Sequence, residues 1–254
     1  MGGVAMLAFL RRDKVNTTGA LIGATVYMAG GVAASRLEHT PIVVAYGHAP
    51  VVLFFLRHFL EQPKLRRGLL CGVAAGALAV HLVQVTYLFV LALIAYAMIG
   101  TACQWKNYSK PDRRRWVGGM AIALACALAL ALPQLLFSLA FMGISNREMM
   151  TLSDAAGASL DSRALLSLLA PNALHALRGT YHGPASLVEA YLYIGTIPLM
   201  AMLALTRAWQ DRQCRASLAF FGAMALVACL YMFGTHTPFY CWLYSWHASL
   251  SATQ

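Results

Sequence analysis

The sequence predicts an all-α protein: a polytopic transmembrane helical bundle with a small outward-facing lobe. Three observations lead there. Apolar residues make up 60% of the 254 residues and charged residues 11%, against roughly 25% charged in ordinary soluble domains. The charges gather in short clusters between long apolar runs. Several runs approach or exceed about 18 residues, the length at which an apolar helix begins to cross the hydrocarbon core of a bilayer.

Taken in order, residues 1–10 are apolar but too short to span, and read as the stub of a helix ended by Arg11-Arg12-Asp13-Lys14. Thr17 or Thr18 is expected to cap the next helix, which runs to about residue 35. Gly19, Gly23, Gly30 and Gly31 punctuate it with the small residues that close helix contacts in lipid require. A polar turn at 36–40 leads to Pro41 at a helix start, and that helix continues to about residue 60 with Pro50 inside it. Residues 68–98 make two crossings if the chain breaks near His81-Leu82-Val83-Gln84. A basic loop at 103–115 precedes an apolar helix over 116–142 that contains Pro133. Residues 143–188 form the most polar stretch and are read as an extracytoplasmic lobe within a single membrane domain, 1–254. Spans over 189–206 and 217–234 follow, and the end, 235–254, is aromatic and partly polar.

The basic residues orient these spans. Loops 11–16, 57–67, 103–115 and 207–216 hold fifteen of the nineteen Lys and Arg residues, including every lysine. Retention of Lys and Arg on the cytoplasmic side puts these loops inside. Alternation then places the 36–40 turn and the 143–188 lobe outside, provided that 68–102 goes out and back. The same retention accounts for the net charge of +10, so no nucleic-acid partner is implied. Trp105, Trp116 and Trp209 flank the basic loops as headgroup-level anchors, and the loop at 110–115 is placed to touch anionic membrane lipid. The six cysteines are scattered without a C-x-x-C pair, which indicates neither a disulfide framework nor a zinc site. Walker, dinucleotide, H-E-x-x-H and nucleophile-elbow motifs are absent from the sequence.

Seven short pieces occur in a telling order. They are the small-residue helix and turn at 30–39, His81-x-x-Gln84, Pro133-Gln134-Leu135-Leu136, Ser145-Asn146-Arg147, Leu168-Leu169-Ala170-Pro171-Asn172, Glu189-x-x-x-Tyr193-Ile194-Gly195-x-x-Pro198-Leu199, and Gly234-x-x-Thr237-Pro238-Phe239-Tyr240. In this order the chain resembles the bacterial YfhO-like membrane proteins, whose architecture is similar to that of GT-C glycosyltransferases. Val80 stands where the family usually has glycine, and Pro133 precedes the Gln-Leu-Leu piece instead of following it. The acidic residue that such enzymes carry on their first outward loop has no counterpart. The sequence is therefore expected to be an internal piece of a longer polytopic protein, or a gene product truncated at both ends.

The resemblance implies a GT-C-like fold in the bacterial cytoplasmic membrane. It also implies transfer of a sugar from a polyprenyl-phosphate donor to a cell-envelope glycan acceptor. In that chemistry a carboxylate takes the acceptor's proton, and cationic groups or a divalent metal offset the leaving phosphate; no metal site is evident. Glu189 and Glu38 are the catalytic candidates. Glu189 opens an apolar helix, where a carboxylate is favoured, and the alternative reading is a plain helix cap. Glu38 with His39 would sit at the outer mouth of a cavity, or in an ordinary solvated turn. His81 and Gln84 stand inside a hydrophobic stretch, where polar groups line cavities or bond across helices. Asn172 is a further substrate-binding candidate, and Arg178 and His182 would suit a phosphate or a glycan. Two other functions stay open: a transporter or flippase for a lipid-linked substrate, built on a discontinuous helix at 81–84, and an inactive membrane fragment.

Overall fold

A computed structural model of the chain describes residues 1–81, 83–142, 144, 157, 159–175, 179–183, 191–203 and 205–251. Those residues form α-helices, short 3-10 turns and connecting segments, with no strand among them. Five described stretches are long and apolar enough to cross a membrane: Thr17–Ser35, Thr40–Glu61, Gln84–Gln104, Lys110–Phe141 and Arg215–Met232. Their large apolar side chains point outward, as lipid-facing residues do: Phe137 is 75% exposed, Met98 68% and Leu91 63%. By contacts the chain divides into two compact units, Met1–Ile144 and Ser145–Gln254.

In the first unit, α1 (Gly2–Arg12) is a short helix of 11 residues. α2 (Thr17–Ala29) is capped by Asn16, whose side chain accepts the Gly19 N–H at 2.7 Å. Neither Thr17 nor Thr18 holds that place, because both already lie inside the helix. Gly30 is extended (ψ 159°) and splits the expected helix, so α3 (Gly31–Ser35) stands as a separate short piece. α4 (Thr40–Glu61) begins at Pro41 as expected and runs on through the buried Pro50.

The predicted break in 68–98 is present. α5 (Leu65–Ala79) and α6 (Gln84–Gln104) are joined by a short turn and run antiparallel. Cys71 packs near Leu93 and Ala97, whereas Leu78, one to two turns later, packs near Val83 and Phe89. α7 (Lys110–Met142) begins six residues before its expected start. Ser109 explains the difference. Its hydroxyl donates to Asp112 Oδ2 at 2.6 Å and accepts the Asp112 N–H at 3.3 Å, a reciprocal cap that satisfies a free helix-end donor. The three arginines at 113–115 therefore lie on a helix, not in a loop.

α4 is the hub of this unit. Ala45 and Val52 pack with Ala74 and Leu78 of α5, and Leu56 and Leu60 pack with Cys71. α1 runs parallel to α4: a Cβ on Gly2 would lie 2.9 Å from the Gly47 Cα, and Arg12 at the other end is ion-paired with Glu61. α5 and α7 lie parallel along a stripe of small residues. Gly68, Gly72 and Gly76 face Gly119, Ala123 and Ala127, and a Cβ on Gly72 would stand 2.6 Å from the Ala123 Cα. Without a hydrophobic force between helices in lipid, such close backbone approach is what holds them together.

In the second unit, a 3-10 turn at Ser162–Ala164 leads into α8 (Leu165–Leu169). Ser167, only 3% exposed, donates to the Ala164 carbonyl at 2.7 Å and accepts the Leu192 N–H at 3.0 Å. This ties the turn to the 191–195 segment. The expected span over 189–206 is not one helix. Residues 191–195 are non-helical, and α9 (Thr196–Met202) starts only after Gly195, whose φ of 106° lies outside the helical region. α10 (Leu205–Gln210) and α11 (Arg212–Met232) follow. A 3-10 turn at Gly234–His236 then leads into α12 (Pro238–Ser251). Thr237 closes that turn by donating its hydroxyl to the Leu230 carbonyl at 2.9 Å.

Candidate functional site

The helix directions give the first unit two chemically different ends. At one end the C-termini of α1, α4 and α6 meet the N-termini of α5 and α7, which gathers the basic segments 11–16, 57–67 and 103–115. Arg57 bridges Asp13 at 3.1 Å and Glu61 at 3.2 Å, and Arg12 pairs with the same Glu61. Arg67 donates to the His58 carbonyl at 3.1 Å. Tyr108 is buried, and its hydroxyl donates to the Leu60 carbonyl, joining the α6–α7 turn to the end of α4. Burial, with the nearby Asp112 adding to it, pushes the Tyr108 hydroxyl up to about 12. Trp105 and Trp116 meet edge to face at 5.6 Å, and Arg113 lies over the Trp105 ring at 5.3 Å.

A polar cleft of about 270 Å³ opens at this end. It is lined by the turn after α4, the end of α6 with its turn, and the first turns of α7, through Glu61, Lys64, Gln104, Asn107, Asp112 and Arg115 among others. Only the 110–115 stretch, with Asp112 and Arg115, was singled out from the sequence, as a contact for anionic lipid. The lining segments lie some 40 residues apart, and only the α4–α5–α7 packing joins them.

The opposite end of this unit carries four of the sequence candidates. Glu38 and His39 sit in the turn before α4, with their side chains 3.7 Å apart and exposures of 67% and 46%. His81 and Gln84 are in the α5–α6 turn. They stand at the break expected between the two crossings, after α5 and at the start of α6. The His81 carbonyl accepts the hydroxyl of the fully buried Thr86 and the Val83 N–H at 2.8 Å, which fixes the reversal. Gln84 is exposed on the first turn of α6.

The second unit holds Asn172 and His182. Asn172 lies in the turn after α8, where its carbonyl accepts the His175 N–H at 3.0 Å. The His182 N–H donates to the Leu174 carbonyl at 3.1 Å, which brings the His182 ring to 5.5 Å from that of His175. His175 takes the left-handed conformation (φ 57°), and its Nδ1 lies 3.5 Å from the Thr180 hydroxyl. This small His-Thr-His group was missed in the sequence. The only signal for it was two histidines seven residues apart in a polar stretch.

Glu189 and Arg178 lie outside the described residues. Among the described residues no three of His, Cys, Asp and Glu converge on a point where a metal ion would bind.

No protein-family model, curated protein or solved structure matches this chain. Its chemistry has to be read from its own residues. The geometry groups Glu38 with His39, places His81 and Gln84 in one turn, and pairs His182 with His175.

Proposed function

We propose that the chain is the membrane-embedded body of a glycosyltransferase with GT-C-like architecture, moving a sugar from a polyprenyl-phosphate donor to a cell-envelope acceptor. In this reading the basic end of the first unit faces the cytoplasm of a bacterial inner membrane, and residues 143–188 form an outward lobe. The observation that carries it is the polarity of the first unit. The Lys- and Arg-rich segments collect at one end, and Glu38, His39, His81 and Gln84 at the other, as a transferase working on the outer face needs.

Glu189 or Glu38 would remove the proton of the acceptor hydroxyl as its oxygen bonds to the anomeric carbon. The bond from that carbon to the donor phosphate breaks, and polyprenyl phosphate leaves with the electron pair. With Glu38 as the base, His39, His81 and Gln84 of the first unit would hold donor and acceptor; with Glu189 as the base, Arg178 and His182 would offset the charge on the departing phosphate and Asn172 would hold the acceptor.

The transporter reading draws no support from the helix break, because α5 and α6 on its two sides run antiparallel and are not halves of one interrupted helix.

The test is release of polyprenyl phosphate by the purified chain in proteoliposomes supplied with radiolabelled polyprenyl-phosphate glucose or mannose and cell-wall glycan. Loss of a general base costs about 10²–10⁴-fold, so Glu189→Gln or Glu38→Gln should lower turnover by at least about 100-fold. No transfer from either donor, or transfer unchanged in both variants, would overturn the proposal.

A further inference from the structure

The cleft at the basic end has a composition that calls for a ligand. Its two acids are already engaged, Glu61 by Arg12 and Arg57 and Asp112 by the Ser109 hydroxyl. Lys64 makes no ion pair among the described residues. Arg115 reaches Asp112 only at 3.7 Å, with its side chain 59% exposed. The amides of Gln62, Gln104 and Asn107 add neutral donors along the same wall. The three segments that meet here, 11–16, 57–67 and 103–115, carry twelve Lys and Arg residues against three acids. The cleft therefore offers cations and amide donors to an anion, within a field that concentrates anions.

Volume and depth narrow the class of that anion. At about 30 Å³ per water, a cleft of 270 Å³ is far larger than a bare phosphate group requires, and has room for a phosphodiester with a polyol. The Trp105–Trp116 pair sits beside the lining, at the border between the apolar lengths of α6 and α7 and their basic turn. Tryptophan at such a border marks the headgroup level of a bilayer, and basic pockets between spans at that level take anionic headgroups.

We propose that this cleft binds the phosphate of an anionic phospholipid headgroup, with Lys64 and Arg115 as its cationic contacts. Two neighbouring helix N-termini, of α5 and α7, open on the same place and add to the attraction. The site lies at the end of the unit opposite the proposed transfer chemistry, and does not depend on that chemistry.

Native mass spectrometry of the full chain in mild detergent, titrated with short-chain phosphatidylglycerol, tests the proposal. The double variant Lys64→Gln/Arg115→Gln should weaken binding at least tenfold. Lys106→Gln/Arg114→Gln removes the same charge from the same region outside the cleft lining, and should weaken binding less than threefold. Inorganic phosphate at the same concentrations should not displace the lipid. Equal loss in the two double variants would overturn the proposal by showing diffuse attraction. Displacement by inorganic phosphate would overturn it in favour of a soluble phosphate ligand.

Discussion

Gly68 of α5 lies so close to Gly119 of α7 that a Cβ on Gly68 would stand 2.7 Å from the Gly119 Cα. Gly72 against Ala123 repeats this contact one turn on, and Gly76 against Ala127 repeats it again. α5 has only 15 residues, about 22 Å at 1.5 Å per residue. Its place in the bundle is set by this backbone contact and by α4 on its other side.

A methyl group at Gly72 meets backbone, which cannot swing aside. Gly72→Ala should destabilise the chain by about 1–3 kcal/mol, the usual cost of overpacking a tight contact. Gly47→Ala is the matched control, since a Cβ there meets nothing within 4 Å. It should be neutral, or stabilising by up to about 1 kcal/mol through helix propensity. Thermal unfolding of both variants in the same detergent checks the contrast, and equal melting temperatures would contradict it.

Arg57 is a second joint, tying the end of α1 to α4 through Asp13 and Glu61. The side chains of Arg12, Asp13, Arg57 and Glu61 are 15–28% exposed, between the surface regime of about 0–1 kcal/mol and the buried regime of about 3–5 kcal/mol. Arg57→Met should therefore cost about 1–3 kcal/mol. A double-mutant cycle with Asp13→Asn should show coupling, because the two side chains are direct partners in the bridge. Strict additivity would show that the bridge carries no energy.

In the second unit Asp161 accepts from the Arg163 side chain at 2.7 Å and 3.0 Å, and from its N–H at 2.8 Å. These hydrogen bonds hold the Asp161 carboxyl down at about 2, below the ordinary carboxylate range. A depressed folded pKa means that the contribution to stability is fully present above the unfolded value, and is lost as pH falls from about 4 through about 2. Carbon-13 NMR of the Asp161 carboxyl should show its midpoint near 2 in the wild type. In Arg163→Gln the midpoint should rise toward the ordinary carboxylate range, and an unchanged midpoint would show that Arg163 is not the cause.

The parts legible in the sequence were those governed by hydropathy and by local chain chemistry. The span over 41–60, the break near 81–84 within the apolar run 68–98 and the proline at the start of α4 all follow from apolar run length and turn residues. Other features depended on what meets across the bundle. Gly68, Gly72 and Gly76 are poor helix formers by propensity, and their value emerges only against the α7 backbone. Asn16 displaced Thr17 and Thr18 as a cap, and Ser109 with Asp112 extended α7, because caps are decided by one-residue geometry. Gly195 broke an apolar run through its φ, which hydropathy does not register. The candidate site was the least legible part, since its residues were chosen by type. The cleft that the fold builds draws instead on charged and amide residues from two interhelix connections, α4–α5 and α6–α7, ordinary in each alone.

The central claim is that the chain spans a membrane with the basic end of its first unit on one side and the turn bearing Glu38 and His39 on the other. The most direct measurement is labelling of single cysteines in intact cells, using a membrane-impermeant maleimide and a background in which all six native cysteines are replaced. Glu38→Cys should react in intact cells, whereas Lys106→Cys should react only after the membrane is permeabilised. Labelling of both positions from the same side would contradict the account.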